Sequence, residues 1–211
     1  VKGVTQGGVV APLLYNAVLN RLDWFLHDKG AYDKECRRIR YRQHSNIRFV
    51  RYADDWCVFI TRGSKKLAED LREQIREFLI RECGLRLSEE KTHITHVRDG
   101  IDFLGFHIKM GIGQSGKLVP KIEITTKART NVLKRLNETV RFRPQQESIS
   151  NRIIRGSSVI IGWANYYRIA HNYSNVASKL DQDAFWITTK AICRKLDIST
   201  AKCLRKYRME N

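Results

Sequence analysis

Two carboxylates side by side, Asp54 and Asp55, sit between two short apolar runs, Ile47 to Tyr52 and Trp56 to Ile60. The runs are rich in Ile, Val, Phe, Tyr and Trp, so they read as strands, with the Asp pair in a two-residue hairpin turn between them. Adjacent like charges repel at such a tip. A divalent cation turns that repulsion into affinity, because Mg²⁺ prefers carboxylate oxygens, keeps some of its waters and completes its octahedron with substrate phosphates. One reading is therefore a metal platform for phosphoryl transfer with the hairpin as a rigid mount. The other is a solvated turn, for which Asp is a favoured residue. Taken alone, the tetrapeptide leaves both open.

No other group of side chains assembles a competing centre. His27, His44, His93, His96, His107 and His171 are scattered, and His93 and His96, three apart on an expected strand, face opposite sides. The five cysteines, Cys36, Cys57, Cys83, Cys193 and Cys203, are odd in number and form no C-x-x-C pair, which suits a reducing, intracellular compartment better than a disulfide framework or a zinc site. Gly111 to Gly116 matches G-x-G-x-x-G, but the following Lys117 to Ile122 looks extended where a dinucleotide fingerprint needs a helix. A hairpin loop is expected there.

The elements that position the Asp pair follow from periodicity. Val4 to Val10 is a glycine-containing loop, and Ala11-Pro12 opens a helix whose Leu14, Ala17, Val18, Leu22, Phe25 and Leu26 recur at helical spacing as far as Lys29-Gly30. Residues 31–45 are basic and polar and read as a surface loop. Leu67, Leu71, Ile75, Phe78, Leu79 and Cys83 define an amphipathic helix from N-cap Ser64 to a stop at Gly84. Leu85 to Leu87, Thr92 to Val97 and Ile101 to Ile108 are expected to be strands. The first part is thus an α+β fold with helices on one face of an antiparallel sheet. From about residue 125 three helices follow, over 126–143, 148–170 and 175–196, as a compact bundle. The boundary is placed between 1–122 and 123–211.

Charge separates the two parts. Residues 1–108 carry 19 Lys and Arg against 15 Asp and Glu, residues 109–211 carry 20 against 7, so the net +17 divides into +4 and +13. With 42% hydrophobic and 29% charged residues the composition is that of an ordinary globular protein. The excess points to a polyanion, since neutralising phosphates releases condensed counterions. No stretch approaches the ~20 apolar residues of a membrane span and no signal peptide is visible. Nucleic acid is the expected partner, and no membrane. The chain opens on Val1 inside a motif, as a piece of a longer polypeptide would.

In order, Val4 to Leu14, Tyr52-Ala53-Asp54-Asp55, Leu87 to Thr92 and Phe103-Leu104-Gly105-Phe106 resemble the palm of a group II intron-type reverse transcriptase, and Ile161 to Arg168 resembles the maturase segment, domain X, that follows it. The resemblance implies an RNA-directed DNA polymerase, a partial palm followed by an all-α three-helix thumb. It implies Mg²⁺ on Asp54, with Asp55 beside it, in a two-metal nucleotidyl transfer. Tyr52 and Ala53 would floor the primer end, and Gln6 and Gly7 would contact the incoming dNTP or the template. Phe103 to Phe106 would be the primer grip. Lys91 would meet the leaving pyrophosphate or serve as an ion-pair member. Trp163 and Tyr167 are expected in the core, Tyr166 and Arg168 on RNA.

Partners implied are intron RNA and an RNA template with a DNA primer, in bacterial cytoplasm or an organelle. Thr5 and Ala11 stand where the family has Pro and Ser, and neither change removes a ligand. The fingers and the first metal-binding palm Asp of the family precede Val1, so the isolated 211 residues are expected to polymerise poorly or not at all; the remainder would be upstream sequence or a separate chain. The alternative functions are a non-enzymatic RNA-binding splicing maturase and a CRISPR- or retron-associated enzyme.

Overall fold

In the computed structural model, residues 9–29, 47–61, 63–113, 115–141 and 147–207 are described below. The chain divides into two units, Val1–Thr95 and His96–Asn211.

The first unit is built around α1 (Ala11–Asp28), the antiparallel hairpin of β1 (Ile47–Tyr52) and β2 (Asp55–Ile60), and α2 (Lys65–Phe78), which continues into a π-helical turn over Leu79–Cys83. Pro12 sits in the first turn of α1, as expected. Ser64 caps α2 by accepting the Leu67 N–H, and Gly84, at φ 65, ends the π turn. Strand alternation sorts the hairpin into two faces. Ile47, Phe49, Trp56, Val58 and Ile60 pack on a core of Leu19, Leu22, Leu26, Leu71, Ile75 and Leu79 contributed by both helices. Helices therefore cover one face of this hairpin. The buried stripe of α1 is Ala11, Leu19, Leu22 and Leu26, whereas Leu14 and Val18, expected inward, are exposed. Among the described residues the expected strands 85–87 and 92–97 pair in no ladder: Ser88 accepts from the Lys91 and Thr92 N–H groups in a turn, and Val97 bonds a strand by accepting from the Met110 N–H at 2.9 Å.

The second unit carries a three-stranded antiparallel sheet in the order β3 (Ile101–Phe103), β4 (Phe106–Ile112) and β5 (Leu118–Ile124), followed by α3 (Thr126–Arg141), α4 (Ile149–Tyr167), α5 (Tyr173–Leu196) and α6 (Thr200–Tyr207). Of the glycine-rich segment, Gly111 and Ile112 end β4, and Gly113 N–H donates to Lys117 O at 2.8 Å where the chain turns toward β5. The expected bundle of three helices has a fourth, α6, capped by Ser199 and packed on α5 through buried Cys203. Its eight residues are too few for a helical period to stand out in sequence. Phe106 and Ile124 of the sheet share a core with Ala128, Val132, Trp163 and Leu180 of the helices, so β3–β5 and the helices form one body. The division at 95/96 thus falls ahead of the boundary read at 122/123. Gly156 lets α4 approach α3 closely, since a Cβ there would press on Leu136 and Val140. Ile161 and Phe185 are exposed and line an open cleft of about 1290 Å³ among these helices.

Candidate functional site

Register places Tyr52 opposite Asp55, so the two-residue turn is Ala53-Asp54 and Asp55 is the first residue of β2. This corrects the expectation that both carboxylates occupy the turn. Ala53 has φ 55 and Asp54 has no positive φ, the φ pattern of a type II′ turn, which matches the right-handed twist of the strands. The other face of the hairpin, away from the helices, carries Val50, Tyr52, Asp55 and Cys57. Tyr52 is 66% exposed, and Asp54 and Asp55 are both exposed. Neither carboxylate has a hydrogen bond or an ion pair among the described residues. Burial pushes the Cys57 thiol up to about 11, and the charge of Asp55, two residues back on the same face, adds to the shift.

Two unengaged carboxylates on one tip fit the oxygen chemistry of Mg²⁺, which takes one or two carboxylates and fills its remaining positions from water and phosphate. No cluster of three His, Cys, Asp or Glu suited to a metal ion is assembled among the described residues.

Sequence reasoning missed the group beneath this tip. Arg51, on the helix-packed face of β1, grips Asp23 of α1 with Nε and Nη2 at 2.8 and 2.6 Å, while Nη1 donates to Asn16 Oδ1 at 2.8 Å and to the Ala53 carbonyl at 3.0 Å. The hydrogen bonds to Asp23 hold the guanidinium pKa above its ordinary value against the opposing effect of burial. The signal was present: an Arg at the place where alternation demands an apolar residue, and Asn16 and Asp23 seven apart on one helical face.

The β3–β4 turn, Leu104-Gly105, has both residues at positive φ, 50 and 81, as a type I′ turn requires. It is fastened on two sides. Tyr166 Oη donates to Leu104 O at 3.1 Å, and Thr125 donates to Gly105 O through both N and Oγ1 at 3.2 and 3.1 Å. Phe106 stacks on Tyr166 and tilts against Tyr167, which packs on buried Trp163. Tyr166 thus spends its hydroxyl on the hairpin while keeping an exposed ring edge, and Arg168 is exposed just past α4. Lys91 is exposed in the 89–91 turn. Gln6 and Gly7 lie outside the described residues.

Comparison with known families bears on both units. Residues 1–108 match the family described as reverse transcriptase (RNA-dependent DNA polymerase), and the chain belongs to that family. Residues 129–208 match the group II intron, maturase-specific domain. Together the two place it in the group II intron-encoded reverse transcriptase and maturase branch.

The relatives include Protein YkfC of Escherichia coli, 37% identical over 51% of this chain and 32% of that protein. Group II intron-encoded protein LtrA of Lactococcus lactis is 30% identical over 55% of the chain and 28% of its own length. A putative COX1/OXI3 intron 2 protein of Saccharomyces cerevisiae is 22% identical over 95% of the chain and 31% of its own length. The chain spans at most about a third of these relatives. Among the described residues no helix is long and apolar enough to cross a membrane.

Proposed function

We propose that this chain is the C-terminal palm, residues 1–122, and thumb, residues 123–211, of an RNA-directed DNA polymerase of group II intron type that also binds intron RNA as a maturase. The observation that carries the reading is the pair of carboxylates, Asp54 and Asp55, unengaged among the described residues, on a hairpin whose opposite face is packed by helices. Asp54 and Asp55 would hold Mg²⁺, which when bound supplies charge neutralisation at the attacking and leaving oxygens of nucleotidyl transfer. Tyr52 and Ala53 floor the primer end, where the small Ala53 side chain permits close approach. Gln6 and Gly7 contact the dNTP or the template backbone. Lys91 offers its charge to the departing pyrophosphate. Phe103 to Phe106 support the primer strand, and Tyr166 and Arg168 meet RNA through the exposed ring and the guanidinium.

Because the chain spans about a third of the relatives it matches, we assign the fingers and a further carboxylate to the rest of such a protein and expect the isolated 211 residues to extend a primer poorly or not at all. Robust extension by them alone contradicts this division of labour. The decisive experiment replaces Asp54 and Asp55 with Ala in the longer polypeptide. Polymerisation on an RNA template is abolished while RNA binding survives; a double variant that still polymerises refutes the assignment.

A further inference from the structure

We propose that Arg51 is a positioning residue that sets the Ala53-Asp54 turn by holding the Ala53 carbonyl, with Asp23 and Asn16 of α1 fixing its guanidinium. The inference rests on the reading of Asp54 and Asp55 as metal-bearing carboxylates. Ala53, at φ 55, is in a conformation that an L residue keeps only when its surroundings over-determine it. Arg51 provides that determination. Two bonds to the Asp23 carboxylate and one to Asn16 Oδ1 leave a planar, rigid guanidinium no freedom over where Nη1 points, and it points at Ala53 O, 3.0 Å away.

The side chain reaches the turn from the helix-packed face, where it is 14% exposed, while Asp55 and Tyr52 occupy the other face. Arg51 therefore touches no substrate and acts through the backbone. Its anchor, α1, is seated by Leu19, Leu22 and Leu26 on Leu71, Ile75 and Leu79. The carboxylates are thus referenced to the core of the unit rather than to the strand ends alone, which serves ligands that must be placed to about half an ångström. Lysine does not substitute, because a point charge on a flexible stem satisfies one of these partners at a time.

The test compares Arg51→Lys, Arg51→Met and Asp23→Asn in the full chain, with Ile75→Val as a control that loosens the same core without touching the clamp. Amide hydrogen exchange at Ala53, Asp54 and Asp55 reads the turn, and Mn²⁺ titration followed by electron paramagnetic resonance reads the carboxylates. All three clamp variants are expected to speed exchange at those amides about tenfold or more and to weaken Mn²⁺ binding about fivefold, leaving α2 protected; Ile75→Val does neither. Turn exchange unchanged in a folded Arg51→Met, or full rescue by Lys, overturns the proposal. So does faster exchange with unaltered Mn²⁺ affinity when Asp54→Ala still weakens it. Should the Arg51 variants fail to fold, Asn16→Ala, which removes one contact of the guanidinium, decides the matter: a turn no faster than wild type overturns it. If Asp54→Ala leaves Mn²⁺ affinity intact, the metal reading falls, and the exchange comparison still decides what Arg51 does to the turn.

Discussion

A side chain at Gly105 meets two obstacles at once. The backbone is at φ 81, and a Cβ there collides with the Tyr167 hydroxyl. Gly105→Ala is expected to cost at least ~2 kcal/mol in thermal unfolding, and adding Tyr167→Phe should restore part of it by removing the struck atom. Cys57 supplies a second check. Its thiol pKa is raised to about 11, chiefly by burial. The folded state therefore binds this proton more tightly than the unfolded chain does, so the stabilisation is complete below the ordinary thiol pKa of ~8.5 and is lost as pH climbs through about 11. Alkylation of Cys57 by iodoacetamide should be slow at pH 8 and accelerate toward pH 11. Fast labelling at pH 8 contradicts that environment. At this scale the sequence exposed Asp54 and Asp55 as a chemically loaded pair but not Arg51, because its meaning is a contact with a helix 28 residues away.

Local signals carried the elements where a cap or a period existed. Ser64 and Gly84 bracket α2 and its π turn as expected, and Trp163 is buried in the maturase-like helix. They failed where tertiary pairing decides. Residues 92–97 have strand-like composition but join no ladder among the described residues, and α6 lacks the length for a pattern. The free edge of β5 is a further case invisible in sequence. The α4–α5 connection supplies ladder-like partners: His171 N–H donates to Ile122 O at 2.8 Å, and Asn172 Oδ1 accepts from Ile124 N–H at 2.8 Å. Asn172→Ala would strand that N–H and should cost about 1–3 kcal/mol. Hydrogen exchange at Ile124 is the direct measurement, expected to rise in the variant.

Across the whole chain the charge division, +4 over residues 1–108 and +13 over 109–211, is the clearest functional statement made by composition. If the second part carries the proposed nucleic-acid contacts, affinity for RNA should fall linearly in a log–log plot against salt, with a slope of about −4 or steeper for six or more phosphates neutralised. A flat salt dependence contradicts the role given to this excess charge. The closed flank of β5 also governs where the molecule accepts added sequence. A tag or reporter spliced at His171-Asn172 would pry the helices off the sheet and strip the β3–β4 hairpin of its backing. The same insert in the exposed loop around Ser115 and Gly116, beyond the Gly113–Lys117 closure, disturbs no such seam and is the place to label this half of the protein.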